Sequence, residues 1–253
     1  MRTSNPALNE NVFAEARSYS GTDAMTIQGT VKKSFILLFI LSLAAFYVWQ
    51  KIFLPGGGVF AESRQLAAML VLGGAIAGFV VALVTTFLKR FSPVTAPLYA
   101  VCEGFVLGGM SAFFEVMYRG IVFQAIALTF GTLFALLLAY RSGLIKASEN
   151  FKLGIVAATG AIALFYFAEW ILHFFGIRIP YIHEGGPIGI AFSLFIVAIA
   201  AFNLVLDFNF IEQGSQKGAP KYMEWYGAFG LMVTLVWLYL EILRLLSKAR
   251  PRR

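Results

Sequence analysis

Long apolar runs alternate with short polar stretches along this chain, and each run is about as long as the ~20 residues a helix needs to cross a bilayer. They cover approximately Phe35–Phe53, Leu66–Leu88, Val94–Phe114, Ile121–Tyr140, Leu153–Ile177, Ile188–Phe210 and Ala228–Leu246. Lipid offers the backbone no hydrogen-bond partners, so a crossing segment must satisfy its own N–H and C=O groups, as a helix does. The pattern predicts an all-α membrane protein, a seven-transmembrane helix bundle. Because the connections are short, neighbours in sequence are expected to be antiparallel neighbours in space. Tyr47, Trp49, Tyr118, Tyr140 and Trp170 fall at or near run ends, where aromatic belts form. Gly74 and Gly78, and Gly104 and Gly108, carry the small-residue spacing that lets helices approach closely. Packing within the bundle accounts for that spacing more simply than dimerisation does.

The remaining chain divides into a polar tail over residues 1–30, the membrane domain over 31–248 and a basic tail over 249–253. The N-terminal tail is read as cytoplasmic. It is not a secretory signal, because the first apolar run begins only after Lys32 and Lys33 and no small-residue cleavage site follows it. Positive charge sets the orientation. Lys32, Lys33, Lys89, Arg90, Arg141, Lys146, Lys152, Lys217 and Lys221 fall on the N-terminal side of the bundle, against Lys51, Arg64, Arg119 and Arg178 on the other. That balance predicts a cytoplasmic N-terminus. Seven crossings then put Lys248, Arg250, Arg252 and Arg253 on the far side, against the charge rule. Either the tail violates the rule or the last segment does not cross fully; seven crossings is the favoured expectation.

Composition agrees with the pattern. The 253 residues are 59% hydrophobic and 13% charged, against ~45–50% and ~25% for a soluble domain. The net charge of +7 is explained by lysine and arginine in membrane loops, so no nucleic-acid partner is expected. The single cysteine, Cys102, lies in an apolar run and reads as a packing residue. No phosphate-cradling G-x-x-x-x-G-K-[ST] loop occurs. Ser111 and Ser142 sit in no nucleophile turn, and neither Glu169/His173 nor His183-Glu184 makes a zinc motif. No enzyme and no cofactor are expected.

The informative residues are the ionisable ones inside the runs. A charged group in hydrocarbon costs roughly 2.5–3.5 kcal/mol even on the lenient insertion scale. Asp207 in FNLVLDFNFIEQG and Glu241 in TLVWLYLEILRLL occupy the last two runs. Close together in apolar surroundings they could not both ionise and would hold one proton between them. Asn203 is placed to supply a hydrogen bond four residues before Asp207. Arg244, three residues after Glu241, offers the alternative of a salt-bridged carboxylate near a helix end. Glu103 lies mid-run and is expected to face the bundle interior, either as pathway lining or as a hydrogen-bonded structural acid. Glu169 and His173 share a helix face and read first as an interfacial pair, second as a proton relay.

At these residues the chain resembles the Bax inhibitor-1 family of small membrane proteins. The resemblance spans about residues 30–248 and rests on VLDFNFIEQ, LYLEILRLL, APLYAVCEGFVLG, LAYRSGLIK and GAPKYMEWYGAFG. It is nearest to a bacterial branch with an extended N-terminal tail. It implies six helices around a central seventh and a pH-sensitive calcium leak controlled by an aspartate dyad on the last two spans. Carried over, Asp207 matches the first member and Glu241 the second, with calcium as the transported ion held between them. Two departures stand out: the second member is glutamate, and GAPKYMEWYGAFG adds chain before the last span. From a turn near Pro220 the two acids would then differ by about 12 Å in depth. They meet only if 221–230 includes an interfacial segment or a break, the latter as Gly227 and Gly230 would allow.

The expected function is thus a cation conduit, most simply for calcium, gated by protons, in the bacterial cytoplasmic membrane. The alternative is a membrane interaction protein without transport, acting on another membrane protein or a stress response through its tail or lipid-facing surface, with residues 1–30 as the discriminating feature. A secondary transporter ranks third, because matched halves with broken helices are not evident.

Overall fold

The computed structural model describes residues 24–53, 61–176 and 186–250. Seven helices, each long and apolar enough to cross a membrane, account for nearly all of them. They are α1 (Ile27–Ile52), α2 (Ala61–Phe87), α3 (Ser92–Met117), α4 (Ile121–Arg141), α5 (Glu149–Phe174), α6 (Pro187–Gln216) and α7 (Met223–Ala249). A single 3-10 turn, Lys89–Phe91, leads into α3, and no named strand occurs among the described residues. The all-α seven-span reading therefore stands. His183-Glu184, Arg178, most of the N-terminal tail and the last three residues lie outside the described residues.

Two expected boundaries move. α1 begins at Ile27, so Lys32 and Lys33 are in the helix rather than before it. Thr26 sets this start, its hydroxyl accepting the Gly29 N–H at 2.9 Å as an N-cap. α7 begins at Met223 and runs without a break to Ala249. The break expected at Gly227 or Gly230 is absent. Gly227 is a packing residue instead: a methyl group there would meet Ile211 and Thr30 at 3.3 Å. The turn before α7 is made at Gly218, whose φ of 64° favours glycine.

The chain divides into two compact units. Among the described residues, the N-terminal unit holds 24–53, 61–119 and 211–232. In it α1 buries a stripe of Thr30, Ser34, Leu37, Leu41, Ala44, Val48 and Ile52 at three- and four-residue spacing. The opposite side of α1 carries exposed Phe35, Phe39 and Phe46, as lipid contact requires. The glycine pairs do what their spacing predicts. A Cβ on Gly104 would lie 2.5 Å from the Leu41 carbonyl oxygen on α1, and one on Gly74 would lie 2.7 Å from the Cys102 carbonyl oxygen on α3. Backbones at that distance leave room only for hydrogen.

The same unit joins three chain ends. The Met25 N–H donates to the Ala219 carbonyl at 2.6 Å, and the Ser92 hydroxyl donates to the Tyr222 carbonyl at 2.9 Å. The start of α1, the start of α3 and the α6–α7 turn thus share one end, as up-and-down crossings demand.

Among the described residues, the C-terminal unit holds 120–176, 186–210 and 233–250. Its core is Ile155 and Ile162 of α5 against Ile196, Ile199 and Leu206 of α6, with Tyr166 and Trp237 packed on it. Basic residues at the end of α7 are occupied within this unit. Lys248 donates to Ser193 Oγ at 2.8 Å at the start of α6, and Arg250 donates to Gln124 Oε1 at 2.6 Å at the start of α4. The start of α4, the start of α6 and the end of α7 therefore share an end of this unit. No residue from Met223 to Lys248 is exposed.

Candidate functional site

Four polar levels lie along α5, α6 and α7 in the C-terminal unit. Asp207 and Ser193 are fourteen residues apart on α6, and their α7 partners, Thr234 and Lys248, are also fourteen apart. The two antiparallel helices thus keep one register, and the rungs between can be counted from it.

At the first level Asp207 is 1% exposed and its side chain hydrogen-bonds Thr234. Its Oδ2 has no hydrogen-bond partner. One turn along α6, the Asn203 amide donates to Thr159 Oγ1 of α5 and to the Ile199 carbonyl, each at 2.9 Å. At the third level Tyr166 of α5 donates to Glu241 Oε1 at 3.1 Å, and Arg244 donates to the same oxygen at 2.7 Å and to the Tyr166 hydroxyl at 2.5 Å. Glu241 is 2% exposed and its Oε2 has no hydrogen-bond partner. At the fourth level Lys248 bonds Ser193 and the Gly189 carbonyl, the latter at 3.3 Å.

This geometry corrects the dyad. Asp207 pairs with Thr234, and Glu241 pairs with Tyr166 and Arg244. Thr234 and Glu241 are seven residues apart on one unbroken helix, about 10 Å of rise. Counted from Pro220, Asp207 lies thirteen residues back, Thr234 fourteen forward and Glu241 twenty-one forward. The α6 residue at the level of Glu241 is Ala200, which is fully buried. Facing no polar group on α6, Glu241 turns to α5. The salt-bridged alternative describes Glu241, and no proton is shared between the two acids. Among the described residues, no three His, Cys, Asp or Glu side chains come together.

The other candidates fall as follows. Asn203 serves Thr159 and Ile199. Glu169 is half-buried and acts electrostatically on Tyr166 and Lys248, whereas His173 is exposed near the end of α5. Glu103 belongs to the N-terminal unit, where it hydrogen-bonds Tyr99 one turn back on α3.

Sequence reasoning missed a third buried acid. Glu224, in the N-terminal unit, is fully buried. It accepts the Thr26 N–H and the Thr26 hydroxyl, both at 2.9 Å, and pairs with Lys33 and, at 3.2 Å, with Lys221. Lys33 also lies 5.6 Å from the Trp225 ring centroid. Gly29 makes the space, since a side chain there would collide with the carboxylate. This clasp ties the start of α1 to the start of α7. The cue was available in PKYMEWYG, where an acid follows a lysine by three residues. Thr234 was legible only by measuring equal lengths from the Pro220 turn.

Comparison with known families settles the relationship. Residues 5–251 match the Bax inhibitor 1 like family. The chain belongs to that family. No curated protein matches the chain. As a Bax inhibitor 1 like protein it is a membrane protein of seven apolar helices, with the bilayer as its first partner.

Proposed function

We propose that this Bax inhibitor 1 like chain is a cation conduit, with calcium as cargo and Asp207 as its proton-exchanging group. The observation that supports this is Asp207 itself: an acid buried mid-helix in a span, with one hydroxyl partner and one bare oxygen. Ionisable groups at such depth are costly and mark ion and proton pathways. With a proton, Asp207 is a neutral hydrogen-bonded side chain that holds α6 against α7. Without it, the same oxygens carry a charge that must be met by a cation or by water. Calcium takes oxygen ligands, and Asp207, Thr234, Asn203 and Thr159 offer them on adjacent levels. The chain acts as a passage rather than as an enzyme. Its place in this proposal is the bacterial cytoplasmic membrane with the N-terminus in the cytoplasm, supported by nine lysines and arginines in or near the connections on the N-terminal side against four in or near the opposite connections.

The test is calcium entry into liposomes holding the purified protein, followed with an entrapped dye over a pH series. Asp207→Asn is expected to change both the leak and its dependence on pH. A leak identical to that of the wild type at every pH would reject the role.

The second reading, an interaction protein without transport, draws support from the clasp. Glu224 fastens the chain just after the N-terminal tail to the α6–α7 turn, which would carry a tail-bound partner's effect into the bundle. Deleting residues 1–23 would abolish activity in cells on this reading and leave liposome flux intact on the first.

A further inference from the structure

The third level of the polar ladder has a feature that salt-bridge stability does not require. Glu241 spends one oxygen on both Tyr166 and Arg244 while its other oxygen is buried and bare. A carboxylate placed for stability would take the arginine with both oxygens, the stronger arrangement. Arg244 is 36% exposed, whereas Glu241's side chain is 3% exposed. The arginine therefore reaches from the edge of the unit inward over the acid. It lies five residues before the end of α7, where a long cationic side chain can reach the aqueous boundary. Below it on the same helices are Asn203 with Thr159, then Asp207 with Thr234. Above it is Lys248 with Ser193.

We propose that Tyr166, Glu241 and Arg244 form a lock that closes the Asp207 level off from the face at which α7 ends. The inference rests on the conduit reading and adds its regulation: which face the buried aspartate communicates with, and which side chains stand in the way. In the locked state the Arg244 guanidinium, bonded to both Glu241 Oε1 and the Tyr166 hydroxyl, fills the path between α5 and α7. Counted by register, the α6 residue at this level is the apolar Ala200, and the nearest polar group along α6 is Asn203 one turn away. When Arg244 swings toward the boundary, Glu241 is left with a bare oxygen and a single tyrosine donor, and water or a divalent cation takes the arginine's place. The other charged groups acting on this level are Glu169 of α5 and Lys248 of α7. They stand on the outer side of the lock, so the cation that leaves Arg244's position passes between an acid and a base.

The experiment reads water access rather than flux. Cys102→Ala removes the native thiol, and Ala200→Cys places a new one at the level of Glu241. A membrane-impermeant cationic thiol reagent is applied to vesicles of either orientation. With the lock intact, labelling is slow from both sides. Arg244→Gln is expected to speed labelling about tenfold, the factor that follows from losing a charged hydrogen bond, and only from the face where α7 ends. Tyr166→Phe keeps the arginine–carboxylate pair and removes one donor, so a smaller rise on the same face is expected; it also guards against misfolding of the arginine variant. Unchanged labelling in both variants, or a rise that is equal from both faces, overturns the lock. The result is separable from the conduit reading. If Asp207→Asn leaves calcium flux untouched while Arg244→Gln opens access, the conduit fails and the lock stands. If Asp207→Asn alters flux while access stays the same, the lock fails and the conduit stands.

Discussion

Glu224 and Asp207 are both acids on long apolar helices, one fully buried and the other 1% exposed, yet their surroundings are opposite. In the N-terminal unit Glu224 has a lysine at each oxygen and the N–H and hydroxyl of Thr26 besides. In the C-terminal unit Asp207 has one threonine hydroxyl and a bare oxygen. Burial alone therefore does not separate a structural acid from a functional one; satisfaction does. A buried carboxylate surrounded by donors and countercharge is fixed in one state. One left half-satisfied pays a desolvation penalty of about 1–3 kcal/mol, a cost a purely structural site would avoid by carrying an apolar residue.

The most damaging way to probe the contrast is at Glu224. Glu224→Ala leaves Lys33 with its charge in a largely closed site and frees the Thr26 donors. Removing one partner of a buried pair costs roughly 3–5 kcal/mol, so thermal unfolding in detergent micelles is expected at a markedly lower temperature. A loss below about 0.5 kcal/mol, the range of ordinary surface changes, would remove Glu224 as the structural half of the comparison. Asp207→Leu should act in the opposite direction. The leucine fills similar volume, and the Thr234 hydroxyl can bond back to its own helix. A gain of about 1–2 kcal/mol is expected, together with loss of the pH-dependent leak. An Asp207→Leu protein that unfolds at lower temperature would show that the aspartate is there for stability after all.

The helices were legible because their signal is summed over some twenty residues, and no single side chain decides it. The glycine pairs were legible for a related reason: close approach demands a missing Cβ, and spacing gives the face. The site was read less well, and the reason is register. Asp207 and Glu241 were paired as acids on consecutive spans, but an antiparallel helix pair is matched by distance from the turn. The partner at the correct distance is Thr234, whose hydroxyl carries no hydropathy signal. A break at Gly227 would have rescued the pairing. That glycine instead lets Ile211 and Thr30 approach. Glu224 was overlooked for a different reason. Its countercharge, Lys33, is 191 residues away in sequence, and no local pattern connects them. Both lysines of the clasp were legible only as topology signals, a role their position at that end of the unit still fits.

The smallest expected effect tests whether the clasp's two lysines are equivalent. Lys33 is 16% exposed and stacks near Trp225, whereas Lys221 is 49% exposed and sits three residues from Glu224 on the same stretch of chain. A half-exposed lysine pays side-chain entropy to hold its pair and is screened by water and salt, so Lys221→Ala should cost no more than about 0.5 kcal/mol. The corresponding Lys33 change should cost several times as much, because it strips the buried oxygen of its enclosed cation. The sharper discriminator is ionic strength. Raising salt should erase the Lys221→Ala difference in unfolding temperature and leave the Lys33→Ala difference in place. Equal costs and equal salt sensitivity would mean that Glu224 is held by local pairing alone, and the start of α1 would then be fastened by the Thr26 hydrogen bonds rather than by charge.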